Sequence, residues 1–455
     1  MDTRGGYCLI GAGAAGLAVC RALRQQGVDF ECLEREDDIG GIFHYGKPQS
    51  SIYKSTHLLS SKATSEFPDF PMPREFPQCP HHSQVLDYFR AYARHFGLYE
   101  HIQFQTTVRS VQPQAGDAPG WRIQLSDGQQ RSYAGLIIAN GHHWDPQLPN
   151  FPGQFNGRTL HSKEYKTPEL FAGQRVLIVG AGNTACDIAC DAVPGAARVL
   201  LSMRRPVHIL PKYTFGETGD GLMQWMSRLR IPMWFQRTLA AWGAYAVHGR
   251  PQALGLPVPD HRIFDAHVTV NSFVPFHVRQ GDIAIKPNVA CLAADHVQFV
   301  DGSREAVDLI VYATGYKVSF PFIDHAHLNW QSGGPQLFLN QFHPQRDDLA
   351  VVGLFQSATG GHWPLMHFQA QLLARFLSAQ QQRRPVDWFQ ELKRQPTPDL
   401  RGGFGQLETE RQRLTVEPVR FQRYLNRLMQ RFDRQGQLRI QTSPTPCDQT
   451  LPRAA

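Results

Sequence analysis

A short apolar strand running into Gly11-Ala12-Gly13, the same arrangement again at Gly180-Ala181-Gly182, and a matched Asp-Gly hairpin after each predict an α/β fold. The expected architecture is two Rossmann-like dinucleotide-binding domains, the second inserted into a discontinuous first. With 455 residues the chain has room for more than one core. A hydrophobic share of 42% with 19% charged residues is globular and excludes a collagenous, coiled-coil or wholly disordered chain. The formal charge of +7 suits a small polyanionic ligand, and without a long Lys/Arg run no nucleic-acid partner is expected. Eight scattered cysteines without a C-x-x-C pair imply no disulfide framework, no metal site and a reducing, cytoplasmic setting. Cys186 and Cys190, four apart, read as small buried hydrophobes. No uninterrupted run of about 18 apolar residues occurs, so no membrane span is expected.

Tyr7 to Ile10 forms the first strand, Gly11-Ala12-Gly13-Ala14-Ala15-Gly16 the turn, and Leu17 to Gln26 the helix. Gly11 permits the turn, Gly13 lets the backbone approach a pyrophosphate, and Gly16 lets helix and strand pack closely. The next strand, Phe30 to Leu33, ends at Glu34, an acceptor placed for a ribose diol. The second copy runs from Arg175-Val176-Leu177-Ile178-Val179 through Gly180-Ala181-Gly182-Asn183-Thr184-Ala185 into a helix from Cys186. Its following strand, Val199 to Met203, ends in Arg204-Arg205. Two guanidiniums can fork onto a ribose 2′-phosphate that a carboxylate would repel, so this copy reads as NADP-binding.

Each copy is followed by a hairpin and a closing strand. Trp121–Leu125, Asp127-Gly128, Leu136–Ile138 and Ala139-Asn140-Gly141 correspond to Val297–Val300, Asp301-Gly302, Leu309–Val311 and Ala313-Thr314-Gly315. FAD in the first unit and NADPH in the second is the economical reading. The expected divisions are 1–168 for the first part of the FAD domain, 169–304 for the NADPH domain, 305–435 for the second part with C-terminal helices, and 436–455 for a disordered tail.

Phe155-Asn156-Gly157-Arg158-Thr159-Leu160-His161-Ser162-Lys163-Glu164-Tyr165 fits F-x-G-x-x-x-H-x-x-x-[FY] at every fixed position. Around it stand Tyr53-Lys54-Ser55, Phe67-Pro68-Asp69-Phe70-Pro71, Arg204-Arg205-Pro206 and Ala313-Thr314-Gly315-Tyr316. With these motifs the sequence resembles the flavin-containing monooxygenases (class B flavoprotein monooxygenases) over roughly residues 5 to 380. The resemblance implies that NADPH reduces FAD, that O2 adds at the flavin C4a, and that the hydroperoxide oxygenates a soft N or S nucleophile of a small organic molecule. It implies Gly41, Phe43, Val108 and Gln356 around FAD, with Phe43 where Trp is usual, and His161 and Tyr165 in the motif linking the domains. Leu59 falls where most members carry an Asn beside the flavin, which leaves His57 and Ser60 as the candidate catalytic residues of that turn. An NADPH oxidase releasing H2O2 and a Baeyer–Villiger monooxygenase are the alternatives.

Leu222 to Val247 carries Trp225, Trp234 and Trp242 among arginines. Packing on the NADPH domain is expected of it, with a substrate gate or a membrane-surface helix as the other readings. A helix from Trp363 carries Leu372, Leu373 and Phe376 on its apolar face. Phe421, Tyr424, Leu425, Leu428, Met429 and Phe432 mark an amphipathic helix for the core or a homodimer contact.

Overall fold

The computed structural model describes residues 2–3, 5–114, 120–331, 333–405, 407 and 410–442. In chain order the first unit begins with β1 (Tyr7–Ile10), α1 (Ala14–Gln26) and β2 (Phe30–Leu33), followed by α2 (His82–His95) and β3 (Ile102–Gln103). A meander of β4 (Val108–Gln114), β5 (Gly120–Leu125) and β6 (Gln130–Tyr133) leads into β7 (Gly135–Ile138). The second unit contains β8 (Arg158–His161), β9 (Arg175–Val179), α3 (Asn183–Ala192), β10 (Arg198–Ser202), α4 (Gly219–Arg228), α5 (Met233–His248) and β11 (Ile283–Lys286). Its own meander, β12 (Val289–Leu292), β13 (His296–Phe299) and β14 (Arg304–Ala306), leads into β15 (Leu309–Tyr312). The chain then returns to the first unit with β16 (Leu349–Val351), α6 (Trp363–Gln381) and α7 (Pro418–Thr442).

Two five-stranded parallel sheets result, ordered β16-β7-β1-β2-β3 and β8-β15-β9-β10-β11. Both read as apolar runs, because helices and meanders cover both faces of each sheet. Leu136, Ile137 and Ile138 are buried in the first sheet, and Leu177, Ile178, Leu200 and Ile310 in the second. The Asp-Gly turns of the two meanders use Gly128 at φ 89° and Gly302 at φ 83°, a region that glycine enters at little cost.

The second sheet takes in β8 and β15, so expected divisions at 168/169 and 304/305 cut through it. A closing strand belongs to the sheet it completes, whichever meander leads to it. The expected tail also begins too early: α7 runs on to Thr442, since no helix breaker of the proline kind arrives before Pro444. Residues 443–455 of that segment lie outside the described residues.

In α7, Phe421, Leu425, Leu428, Met429 and Phe432 are buried and join α1 and α6 in one core. That face is spent inside the chain. Cys186 is buried in the core of the second unit, and Cys190 Sγ lies 3.9 Å from Asn271 Oδ1. No described helix is long and apolar enough to cross a membrane.

Candidate active site

The carboxyl ends of both sheets open into one cleft of about 2340 Å³, the position at which open α/β sheets bind ligands. At the first cradle Gly11 has φ 102°, and a Cβ there would stand 2.8 Å from the Ala139 carbonyl oxygen. Gly16 faces away from the cleft, and a Cβ on it would fall 1.9 Å from the Gly11 carbonyl oxygen. Its task is the close packing of α1 on β1. Gly13 caps α1, and a Cβ there would reach Gly41 Cα at 3.6 Å. The Gly40 N–H donates to the Ala12 carbonyl (3.1 Å), which holds the 40–43 turn against the glycine loop. Glu34 is buried and accepts from the backbone N–H of Ala12 (2.6 Å) and Glu36 (2.9 Å). Burial pushes its pKa up, and those two N–H groups oppose the shift.

Around this cradle Phe43 meets Trp363 and Phe89 edge-on, at ring separations of 5.7 and 5.8 Å. Val108 and the buried Gln356 also line the cleft. A cradle with a bare glycine face, a helix N-terminus and an acid at the second strand end fits a dinucleotide with a free ribose diol.

At the second cradle Gly180 has φ 146°, and the space where a Gly182 Cβ would start is open to 4 Å. Asn183 Oδ1 accepts from the Val270 N–H (2.7 Å), and Thr269 Oγ1 donates to the Ala181 carbonyl (2.7 Å). Asn183 thus braces the loop, and Thr269 is a brace that sequence reasoning missed. Thr184, Arg204 and Arg205 line the cleft. Asp260 takes Arg205 in a bidentate pair (3.0 and 3.1 Å), while Arg204 is exposed with no ion pair among the described residues. An open glycine face beside an unpaired guanidinium fits a dinucleotide that carries a 2′-phosphate.

The turn between the cradles carries the catalytic candidates. His57 Nδ1 lies 2.9 Å from the Ser55 carbonyl and donates to it, so Nε2 is left as an acceptor. Burial lowers the His57 pKa, which keeps the ring neutral. Leu59 is 37% exposed on the cleft wall. Ser60 Oγ shares a hydrogen bond with Ser65 Oγ at 2.8 Å, and with Ser65 donating it has a proton to offer to the cleft.

His161 and Tyr165, expected in the motif linking the domains, do not line the cleft. His161 Nε2 donates to the Gly315 carbonyl (3.0 Å) and Nδ1 accepts from the Lys163 N–H (3.1 Å), tying β8 to the turn after β15. Tyr165 is fully buried, stacks on Phe171 and donates to Asp191 Oδ2 (2.9 Å). The F-x-G-x-x-x-H-x-x-x-[FY] motif is a joint.

Sequence reasoning also missed two carboxylates on α3. Asp187 accepts from Tyr53 Oη (2.8 Å) and Asn271 Nδ2 (2.9 Å), and Asp191 accepts from Ser55 Oγ as well as Tyr165. Their i,i+4 spacing puts both on the helix face turned to the 53–55 loop. That spacing was the available signal, and it is indistinguishable in sequence from a solvated face. Burial raises the Asp187 pKa to about 6. Asp220, at the start of α4, accepts from Ser61 N and Oγ (2.9 Å each) and from Thr64 Oγ1, clipping that helix to the turn that carries Ser60.

Three comparisons bear on this geometry. The description Flavin-binding monooxygenase-like matches residues 6–391. Flavin-containing monooxygenase 5 of Oryctolagus cuniculus is 34% identical over 397 residues, covering 80% of this chain and 71% of that protein. Dimethylaniline monooxygenase (N-oxide-forming) 2 of Mus musculus is 34% identical over 387 residues, covering 81% and 72%. Among solved structures, OTEMO in complex with FAD and NADP superposes with a TM-score of 0.69 at 15% identity, over 95% of this chain and 98% of that one, a likeness of fold.

Proposed function

We propose, from the premise that this chain belongs to the flavin-binding monooxygenase-like family, that it is an NADPH-dependent FAD monooxygenase oxygenating a soft nitrogen or sulfur centre of a small organic molecule. The observation that carries the reading is the pairing of two unlike dinucleotide cradles on one cleft, the first ending in Glu34 and the second in Arg204 and Arg205. FAD belongs to Gly11, Gly13, Glu34, Gly41, Phe43, Val108 and Gln356, and NADPH to Gly180, Gly182, Thr184, Arg204 and Arg205. When bound, the cofactors supply the electrons and activate O2.

The chain's own residues position and shield. The edge-on pair Phe43 and Trp363 walls the first cradle with apolar surface, which excludes water from the reacting centre. Ser60 is the donor of the turn and His57 an acceptor. Leu59 places no donor where an amide is expected, and this observation favours a second reading, in which O2 is released as H2O2 and the protein is an NADPH oxidase.

The test is the ratio of oxygenated product to NADPH consumed, with H2O2 measured in parallel over a panel of tertiary amines and sulfides. Product that rises with a fitting substrate at the expense of H2O2 is expected. H2O2 equal to NADPH consumed with every compound would overturn the monooxygenase reading in favour of the oxidase.

A further inference from the structure

Helices α4 and α5 turn Met223, Met226 and Leu239 inward, where with Phe264 and Ala358 they form one apolar lobe of the cleft. Trp225, Trp234 and Trp242 stay exposed on the other side, which corrects the expectation that this segment packs away on the second unit. One carboxylate interrupts the lobe. Asp220 lines the cleft at the start of α4, and its Oδ2 accepts from the Ser61 N–H and hydroxyl (2.9 Å each) and from the Thr64 hydroxyl. Its Oδ1 is buried and has neither a hydrogen bond nor an ion pair among the described residues. Thr359 Oγ1 is buried and unpartnered as well. It belongs to the same corner, because Thr359 adjoins Gly360, and a Cβ on Gly360 would stand 3.2 Å from Thr64 Oγ1.

A carboxylate oxygen buried without a donor costs stability, and a ligand that brings the donor removes the cost. We infer that Asp220 Oδ1 and Thr359 Oγ1 form a subsite for a primary ammonium group, so that the substrates are soft nucleophiles that also carry a protonated amine. An ammonium brings three N–H donors and the charge that answers the carboxylate, whereas a hydroxyl would leave that charge unanswered. A metal ion is a poor occupant, since among the described residues no group of three His, Cys, Asp or Glu could hold one. The protonated nitrogen has no lone pair, so the atom that is oxygenated lies at the other end of the molecule, with the carbon chain along the apolar lobe. Ser61, which holds Asp220, adjoins Ser60, and this places the anchor beside the candidate donor. Gln224 shares a helix face with Asp220 at i, i+4. Its amide end rests against Gly360, 2.3 Å from where a Cβ would stand, makes no hydrogen bond among the described residues, and is a cover that an arriving ammonium displaces. This substrate class rests on the oxygenation reading, in which one atom of O2 goes to the soft centre and the other leaves as water, with NADPH and one proton supplying two electrons and two hydrogens.

The test is a binding measurement that needs no turnover. Oxidised, FAD-loaded full-length protein is titrated with methylthiopropylamine and with methyl butyl sulfide, which differ only in ammonium against methyl, and the change in flavin absorbance gives each Kd. The amine should bind about tenfold or more tighter. Asp220→Asn should bring the two dissociation constants together. Thr359→Val, which leaves every contact of Asp220 Oδ2 in place, should lower the ratio several-fold, with circular dichroism and flavin content certifying the fold of both variants. Equal dissociation constants in the wild type, no binding of the amine, or a ratio undiminished in either folded variant overturns the inference. The oxygenation reading fails separately: H2O2 equal to NADPH consumed with both compounds would sink it, while the preference for the amine in the titration stood.

Discussion

Beside Gly13 the chain folds a second glycine, Gly41, so that two bare backbones face one another across 3.6 Å from a notional Cβ, whereas nothing stands within 4 Å of the same point at Gly182. The acid of the first cradle is buried and tied to its own glycine loop through Ala12. The arginines of the second are exposed, one of them held from behind by Asp260. An enclosed cradle suits a cofactor that stays, and an open one suits a cofactor that must exchange at every turnover. The same six-residue turn serves both because the difference lies in what the fold brings against it.

The sharpest way to break the comparison is at the third glycine. Gly16→Ala drives a Cβ to 1.9 Å from the Gly11 carbonyl oxygen, and neither backbone can yield without moving α1 off β1. A loss of about 3 kcal/mol or more is expected, with the flavin released. Thermal denaturation with flavin fluorescence reads it, and a yellow variant of unchanged Tm would show that the packing is not what the glycine secures.

The two units are joined by Asp187, and its protonation provides the next test. Its folded pKa of about 6 stands above the ordinary aspartate value of 3.8. The proton therefore binds the folded state more tightly, and the contribution to stability is fully present below the unfolded pKa and lost as pH rises through about 6. Relative to the wild type, Asp187→Asn should flatten the pH dependence of Tm between about 4 and 7, an effect of at most about 3 kcal/mol. Parallel pH profiles for the two proteins would remove Asp187 from that role.

Local features were legible in the sequence and distant partnerships were not. Both glycine turns, the Asp-Gly hairpins and the buried face of α7 are encoded within a few residues of themselves, so spacing alone located them. His161 and Tyr165 were found by the same spacing, yet their partners, the Gly315 carbonyl and Asp191, lie 154 and 26 positions away, so the motif was visible and its partners were hidden. The segment that carries Trp225, Trp234 and Trp242 reads alike in sequence whether it faces a core or solvent. Only its exposure in the fold distinguishes them.

The arginines sharpen the comparison at the second strand end. Arg204→Ala removes an unpaired guanidinium and is expected to weaken NADPH relative to NADH by about 10- to 100-fold. Arg205→Ala removes a group whose Nε and Nη2 already serve Asp260, and its effect should be several-fold smaller. Ratios of kcat/KM for the two coenzymes check this, and equal losses would mean that Asp260 releases Arg205 when the phosphate arrives.

The smallest effect is the most discriminating. The second cradle carries Ala185 where the first carries Gly16, and Ala185 is fully buried with its Cβ 3.3 Å from where a Gly180 Cβ would be. The helix of the second unit therefore already stands off its strand by enough for a methyl group. Ala185→Gly should leave a methyl-sized void and loosen the first turn of α3, together about 1–2 kcal/mol, with NADPH affinity unchanged. Chemical denaturation alongside coenzyme titration measures both. If Ala185→Gly cost as much as Gly16→Ala, the third position would not be what sets the two helices at different distances, and the openness of the second cradle would have to come from the brace of Thr269 and Asn183.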